Sequence, residues 1–162
     1  MAKAILICGR IASGKSTYAR RLMEHGAYVL LSVDEITLAL FDGHIGRKHD
    51  DIVERTQKYL LAKSLELLGQ GISVILDWGF WMRQERDEAR VFYAAHGFAC
   101  EFHQIDVSER VWRRNIEKRN REIMEGKTSA YFVDDALAEK FGAIYEEPER
   151  NEMDVWIIND WN

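Results

Sequence analysis

Apolar positions along the chain follow two alternating periods. Five short runs read as strands: Lys3 to Cys8, Tyr28 to Ser32, Ile72 to Leu76, Phe98 to Val107 and Asp154 to Ile158. The third (Ile-Ser-Val-Ile-Leu) is continuous and rich in branched residues, the pattern of a strand covered on both faces. Between the runs the period becomes helical. From Asp51 to Leu68 one stripe carries Ile52, Thr56, Tyr59, Leu60, Ser64 and Leu67, and Gly69 supplies a stop. Arg83 to His96 repeats the pattern through Ala89, Phe92 and Ala95, ending at Gly97. Ser108 suits the N-cap of another helix with Val111, Trp112 and Ile116 on one face. Strands alternating with helices of this length predict an α/β fold, a parallel sheet with helices on both faces, because parallel neighbours need crossover connections.

The chain has 162 residues and a mass of 18.9 kDa, which predicts a single domain over 1–162. Its 47% hydrophobic and 30% charged residues exclude a disordered or fibrous chain. The run Ala4 to Cys8 is too short for a signal peptide and no run is long enough to cross a bilayer, so a cytoplasmic location without membrane contact is expected. Cys8 and Cys100 read as buried free thiols, and the five scattered histidines show no zinc spacing. Pro148 is the single proline, and no linker or repeat is visible.

Charge is uneven around a net of −5. Residues 108–127 hold seven basic side chains against four acidic ones, and from residue 134 onward nine acids face two bases. An acidic total disfavours general nucleic-acid binding, since that affinity comes from Lys and Arg on phosphates. The basic island points to a small anionic ligand.

One motif carries chemistry. Gly9-Arg10-Ile11-Ala12-Ser13-Gly14-Lys15-Ser16, followed by Thr17, fits G-x-x-x-x-G-K-[ST], the Walker A pattern. It lies between a predicted strand and a helix with Tyr18, Ala19, Leu22 and Met23 on its apolar face. The loop amides and the helix N-terminus would cradle phosphates, Lys15 would reach the β- and γ-phosphates, the Ser16 hydroxyl would hold Mg²⁺, and Thr17 would face the α-phosphate. Gly9, Ile11, Ala12, Ser13 and Gly14 complete this nucleotide-binding set.

Asp34 follows the second strand and opens a helix, so it stands on the same sheet edge as the loop. A carboxylate there can take the proton of an attacking hydroxyl; its competing role is to cap the helix. Asp77, after Ile72, Val74, Ile75 and Leu76, fits a second Mg²⁺ ligand acting through water, and the competing role is to tie down the following turn. Trp78, Phe80 and Trp81 either wall an acceptor pocket or pack the core. Arg114 and Arg119, with Arg121 beside them, fit a lid over about 114–133 that neutralises charge during transfer, against a plain solvated helix face.

Taken together, GRIASGKST, SVDEI, ILDWGFWMRQERDEAR, IDVSERVWRRNIEKRN and YEEPERNE make the chain resemble the small AAA-domain P-loop kinases, a group with polynucleotide kinase, chloramphenicol phosphotransferase, zeta toxin and gluconate kinase. The resemblance implies a five-stranded parallel sheet of order 2-3-1-4-5, ATP and Mg²⁺ in the loop, Asp34 as base, Lys15 and Arg119 as further catalytic residues, and Pro148 with Glu152 beside the adenine. LDWGFWMR is similar to the LDGFPR signature of nucleoside monophosphate kinases, which implies Arg83 or Arg86 near the acceptor. Phe41 to His49, with Asp42, His44, Arg47 and His49, is expected to line the acceptor pocket together with Asp77, Trp78 and Arg83. Polynucleotide kinases carry an arginine three residues after the base; here that position is Thr37, which argues against a nucleic-acid acceptor.

The expectation is an ATP- and Mg²⁺-dependent kinase acting on a hydroxyl of a small molecule of antibiotic, sugar or nucleoside type. Its rivals are a nucleotide-gated binding module or slow ATPase, and a 5′-hydroxyl polynucleotide kinase.

Overall fold

The computed structural model of the protein describes residues 1–41 and 48–160. Strand β1 (Lys3–Cys8) leads through the glycine-rich loop into helix α1 (Lys15–His25), β2 (Tyr28–Leu31) and α2 (Val33–Phe41). Then come α3 (His49–Gly69), β3 (Ser73–Gly79), α4 (Arg83–Ala95), β4 (Ala99–Asp106) and α5 (Glu109–Met124). Helix α6 (Asp135–Ile144), a 3-10 turn (Arg150–Glu152) and β5 (Val155–Ile158) follow. The five strands form one parallel sheet in the order β2-β3-β1-β4-β5, as the resemblance implies.

Strand alternation divides the core into two layers. Leu6, Cys8, Leu31, Val74, Leu76 and Phe102 face α3 and α4, where Leu60, Leu68, Ala89 and Tyr93 meet them. Ile5, Ile7, Ile75 and Ile105 face the opposite way, against Ala19 of α1. The central β1 is therefore apolar on both sides, and Cys8 and Cys100 are free thiols, the first buried and the second half-buried. Among the described residues no helix is long and apolar enough to cross a membrane.

Several boundaries differ from the sequence pattern. β3 does not stop at Leu76 but continues to Gly79, so Asp77 is a strand residue. The β1–β3 register slips there, from Leu6 opposite Leu76 to Cys8 opposite Gly79; this bulge inserts an extra residue on β3 and turns the Asp77 edge toward the loop. Gly69 is the last residue of α3, where the pattern expects the helix to stop, and the left-handed residue beyond it is Gly71 at φ +80°. Ser108 does cap α5, its Oγ accepting from the Val111 amide at 3.3 Å. Helix α6 has no counterpart in the sequence pattern because its packed face is only the short, half-buried set Leu137, Ala138 and Phe141.

The largest fully buried side chain is charged. Arg86 of α4, 1% exposed, donates from Nη1 to the carbonyls of Phe80, Trp81 and Glu146 and from Nε and Nη2 to the Glu152 carboxylate. Arg90 also donates to the Glu152 carbonyl. These bonds fasten the connection before β5 to the end of β3 and the start of α4. On the other layer, the nearly buried His103 joins Tyr18 of α1 through Nδ1 (2.9 Å) and Glu101 through Nε2 (3.2 Å), and Lys3 pairs with Glu101.

Arg86→Leu should lower unfolding free energy by about 3–5 kcal/mol in urea titration, since it leaves a nearly buried carboxylate and three carbonyls without their donor; a change near zero would contradict the fastening role. Burial holds His103 below the ordinary value of 6.5, against the pull of Glu101. The unfolded chain thus binds a proton that the fold resists, so stability falls as pH drops below the ordinary histidine value. A His103→Gln variant should flatten that part of the pH–stability curve.

Candidate active site

The loop between β1 and α1 has the backbone that its glycines permit. Gly9 (φ +151°), Ala12 (φ +57°) and Gly14 (φ +101°) all take positive φ, and a Cβ on Gly9 would stand 2.7 Å from Ser13 Oγ and 2.9 Å from the Ile105 carbonyl. The carbonyls of the turn are held by side chains from three other parts of the fold. Trp81 Nε1 donates to Gly9 O (3.0 Å), Trp112 Nε1 to Ile11 O (2.7 Å), Asn115 Nδ2 to Ala12 O (3.1 Å) and Asn159 Nδ2 to Ser13 O (2.6 Å). Lys15 Nζ takes Gly9 O and Arg10 O at 3.1 and 2.8 Å. With its acceptors engaged in this way, the loop keeps amide donors for an anion at the N-terminus of α1.

Ser16 and Asp77 meet as their sequence positions require, with Ser16 Oγ donating to Asp77 Oδ2 at 2.8 Å. A hydroxyl and a carboxylate oxygen side by side are the hard donors that Mg²⁺ takes together with phosphate and water. The donor chemistry therefore fits that ion.

Asp34 occupies the first turn of α2, but it is not the cap; Ser32 Oγ accepts from the Glu35 amide at 3.3 Å. The competing role of Asp34 is thus filled by a neighbour. Burial raises the Asp34 pKa, Lys15 and Arg119 pull it down, Asp77 adds to the rise, and His49 opposes it. Lys15 is lowered by burial and raised by Asp77 and Asp34. Arg119 is lowered by burial and supported by Asp34. Lys15, Asp34, Asp77 and Arg119 thus form one electrostatic group, although they come from α1, α2, β3 and α5.

Arg119 reaches this group because the chain after α5 folds back over α2. Arg119 Nε donates to Tyr131 O (3.1 Å), and Asn120 bonds both ways with the Val133 backbone at 2.6 and 2.9 Å. The Tyr131 hydroxyl lies 2.8 Å from Thr37 Oγ1, and its ring meets His49 edge-on. Thr37, where polynucleotide kinases carry arginine, is 1% exposed and closed beneath Tyr131.

Other expected residues lie elsewhere. Arg114 is exposed, roughly half a turn around α5 from Trp112 and Arg119, because 3.6 residues per turn place it on the solvent face. Arg83 is exposed among Glu149, Asp87 and Glu152, and Arg86 is consumed by its buried bonds, so neither is a spare cation for an acceptor. Pro148 is buried and Glu152 binds Arg86, both in the segment fastened to α4. Trp78 is half-buried and stacks on Phe80, while Thr17 is half-buried at the start of α1. Arg47, with Asp42 and His44, lies outside the described residues. Sequence reasoning overlooked Asn115 and Asn159 and assigned Trp112 to an apolar face. A paired indole and amide spaced for one side of α5 was the available signal.

The family model described as an AAA domain matches residues 5–148. The APS kinase CysC of Mycobacterium tuberculosis, solved with AMPPNP and APS, is similar at 20% identity and a TM-score of 0.67, covering 99% of this chain and 90% of its own. A gluconokinase from Sinorhizobium meliloti 1021 is similar at 17% identity and a TM-score of 0.65, covering 99% of this chain and 84% of its own. A chain of the Pnkp1/Rnl/Hen1 RNA repair complex aligns at 22% identity and a TM-score of 0.70, over 88% of this chain and 43% of its own. A comparison with curated proteins gives no match.

If the four outside donors set the loop, then Asn159→Ala or Trp112→Phe should weaken binding of a non-hydrolysable ATP analogue by roughly tenfold, the loss expected when a loop carbonyl is released. Calorimetric titration with unchanged affinity in both variants would remove that role.

Proposed function

We propose that this chain, which belongs to the AAA-domain family and has the P-loop kinase fold, transfers the γ-phosphate of ATP to a hydroxyl group of a small molecule. The observation that carries the reading is the convergence of Lys15, Asp34, Asp77 and Arg119 into one charge group beside the glycine-rich loop, with Asp77 buried, Lys15 and Arg119 half-buried and Asp34 open to solvent. A nucleotide switch or slow ATPase needs the loop and a Mg²⁺ ligand; it has no use for a second carboxylate, Asp34, coupled to Lys15 and Arg119 beside them. The relative solved with AMPPNP supports ATP as donor. Residues 1–162 would act as one domain, with the lid formed by the second half of α5 and the segment that follows it.

In the proposed reaction the loop amides and Lys15 hold the triphosphate, and Asp34 accepts the proton of the acceptor hydroxyl. The acceptor oxygen forms a bond to the γ-phosphorus as the bond to the β,γ-bridging oxygen breaks, and ADP leaves. Lys15 and Arg119 stabilise the charge on the transferring oxygens. Mg²⁺, held by Ser16 and by Asp77 directly or through water, would supply the counter-charge of the β- and γ-phosphates. The raised pKa of Asp34 makes it a stronger base than an ordinary carboxylate, with Lys15 and Arg119 opposing the rise. A polynucleotide acceptor is disfavoured, because Thr37 offers no cation for a phosphate backbone and lies under Tyr131.

Asp34→Asn should keep ATP binding and lose roughly 10²- to 10⁴-fold in transfer of label from γ-labelled ATP to pooled sugars, nucleosides and hydroxylated antibiotics. Full transfer by this variant would remove the base, and label released only as phosphate, whatever the acceptor, would remove the kinase reading. The acid limb of the transfer rate should lie above the ordinary Asp value of 3.8, since activity is lost as pH falls through a raised pKa. Arg119→Met, which deletes a charge that lowers this pKa, should move the limb to higher pH; a shift to lower pH would contradict the pairing.

A further inference from the structure

Beyond β3, the space between α3 and α4 forms a cleft of about 270 Å³ lined by Gln57 and Leu61 of α3, Trp78 and Phe80 of the β3 end, and Glu85, Glu88, Ala89 and Phe92 of α4. That size suits a small metabolite rather than a polymer. Trp78 and Phe80 stack with centroids 5.0 Å apart at 29°, and Phe80 rests edge-on against Phe102. Phe80 takes φ +45°, a region that bulky side chains avoid and that is favoured at ligand sites. Gly79 before it takes φ +97°. The backbone is thus strained at the residue that builds the aromatic wall, immediately after the strand carrying Asp77.

The charge of the cleft is specific. Each arginine and lysine of α3 and α4 is engaged elsewhere: Arg55 with Asp51, Lys58 with Glu54, Lys63 with Glu66, Arg83 with Glu149, Arg86 with Glu152, and Arg90 over the Phe102 ring. Among the described residues, the two carboxylates of the lining have only neutral partners, the Met82 amide on Glu85 and the Gln84 side-chain amide on Glu88. Two carboxylates beside aromatic faces attract a cation and repel phosphate, sulfate or carboxylate groups.

We infer that this cleft binds a small molecule bearing a cationic amine on an apolar or aromatic body. Its preference for a cation is measurable without nucleotide and stands independently of the kinase reading.

Three probes of one shape test it: 2-amino-1-phenylethanol (cationic), 1-phenyl-1,2-ethanediol (neutral) and mandelate (anionic), titrated calorimetrically into the whole protein. The amine should bind roughly tenfold or more tighter than the diol, and mandelate weakest, as expected for carboxylates meeting a charge near aromatic rings. Glu85→Gln combined with Glu88→Gln should abolish the preference, while the carboxamide introduced by the first substitution can still accept from the Met82 N–H and keep the start of α4 capped. Lys15→Ala should leave the preference intact. Equal binding of the three probes, a preference for mandelate, or a preference that survives the double variant would overturn the inference.

Discussion

The site depends on where the carbonyls of one short turn point. A loop that wraps an anion must expose its N–H groups, and its C=O groups then need donors elsewhere. Here the donors come from the β3–α4 loop, α5 and the end of β5, through Trp81, Trp112, Asn115 and Asn159. Helix α5 contributes two of them from consecutive turns and carries Arg119 one turn further on. One helix therefore both fixes the carbonyls of the glycine-rich loop and carries Arg119, the cation proposed for the lid.

Arg86 and Asp34 carry their charges in two different ways. Arg86 is saturated by three carbonyls and a carboxylate, and the result is a rigid joint between the β3 end and the chain before β5. Asp34 is instead held among other charges of both signs, with its pKa drawn up by burial and down by Lys15 and Arg119. The first arrangement has nothing left to exchange; the second can accept a proton. The contrast lies in exposure and in the completeness of the hydrogen bonding: Arg86 is closed off and saturated, while Asp34 stays open to solvent.

Much of this was legible in the chain. The alternating periods and the Walker A spacing defined β1, the loop and α1, and strand ends followed by Asp34 and Asp77 located both carboxylates on the correct edge of the sheet. What remained hidden has a common cause. Arg83 and Arg86 carry the right charge beside the right strand, but their partners, Glu149 and Glu152, lie more than sixty residues away. Likewise Asn159 looks like an ordinary strand end until β5 pairs beside β4. Helix α6 escaped because its only packed face is the short, half-buried set Leu137, Ala138 and Phe141, too brief to mark a helix in the pattern. Local periodicity reports elements, whereas long-range polar partners report roles.

The bond from Asn159 to Ser13 O spans 146 positions of sequence and couples the start of the chain to its final strand. During synthesis the glycine-rich loop emerges first, yet one of its carbonyls finds its donor only after β5 has emerged and paired. Contacts of such separation are slow to form. A nascent chain would therefore expose an unfinished cradle until β5 has paired, and nucleotide would be captured by the completed fold rather than guide its assembly.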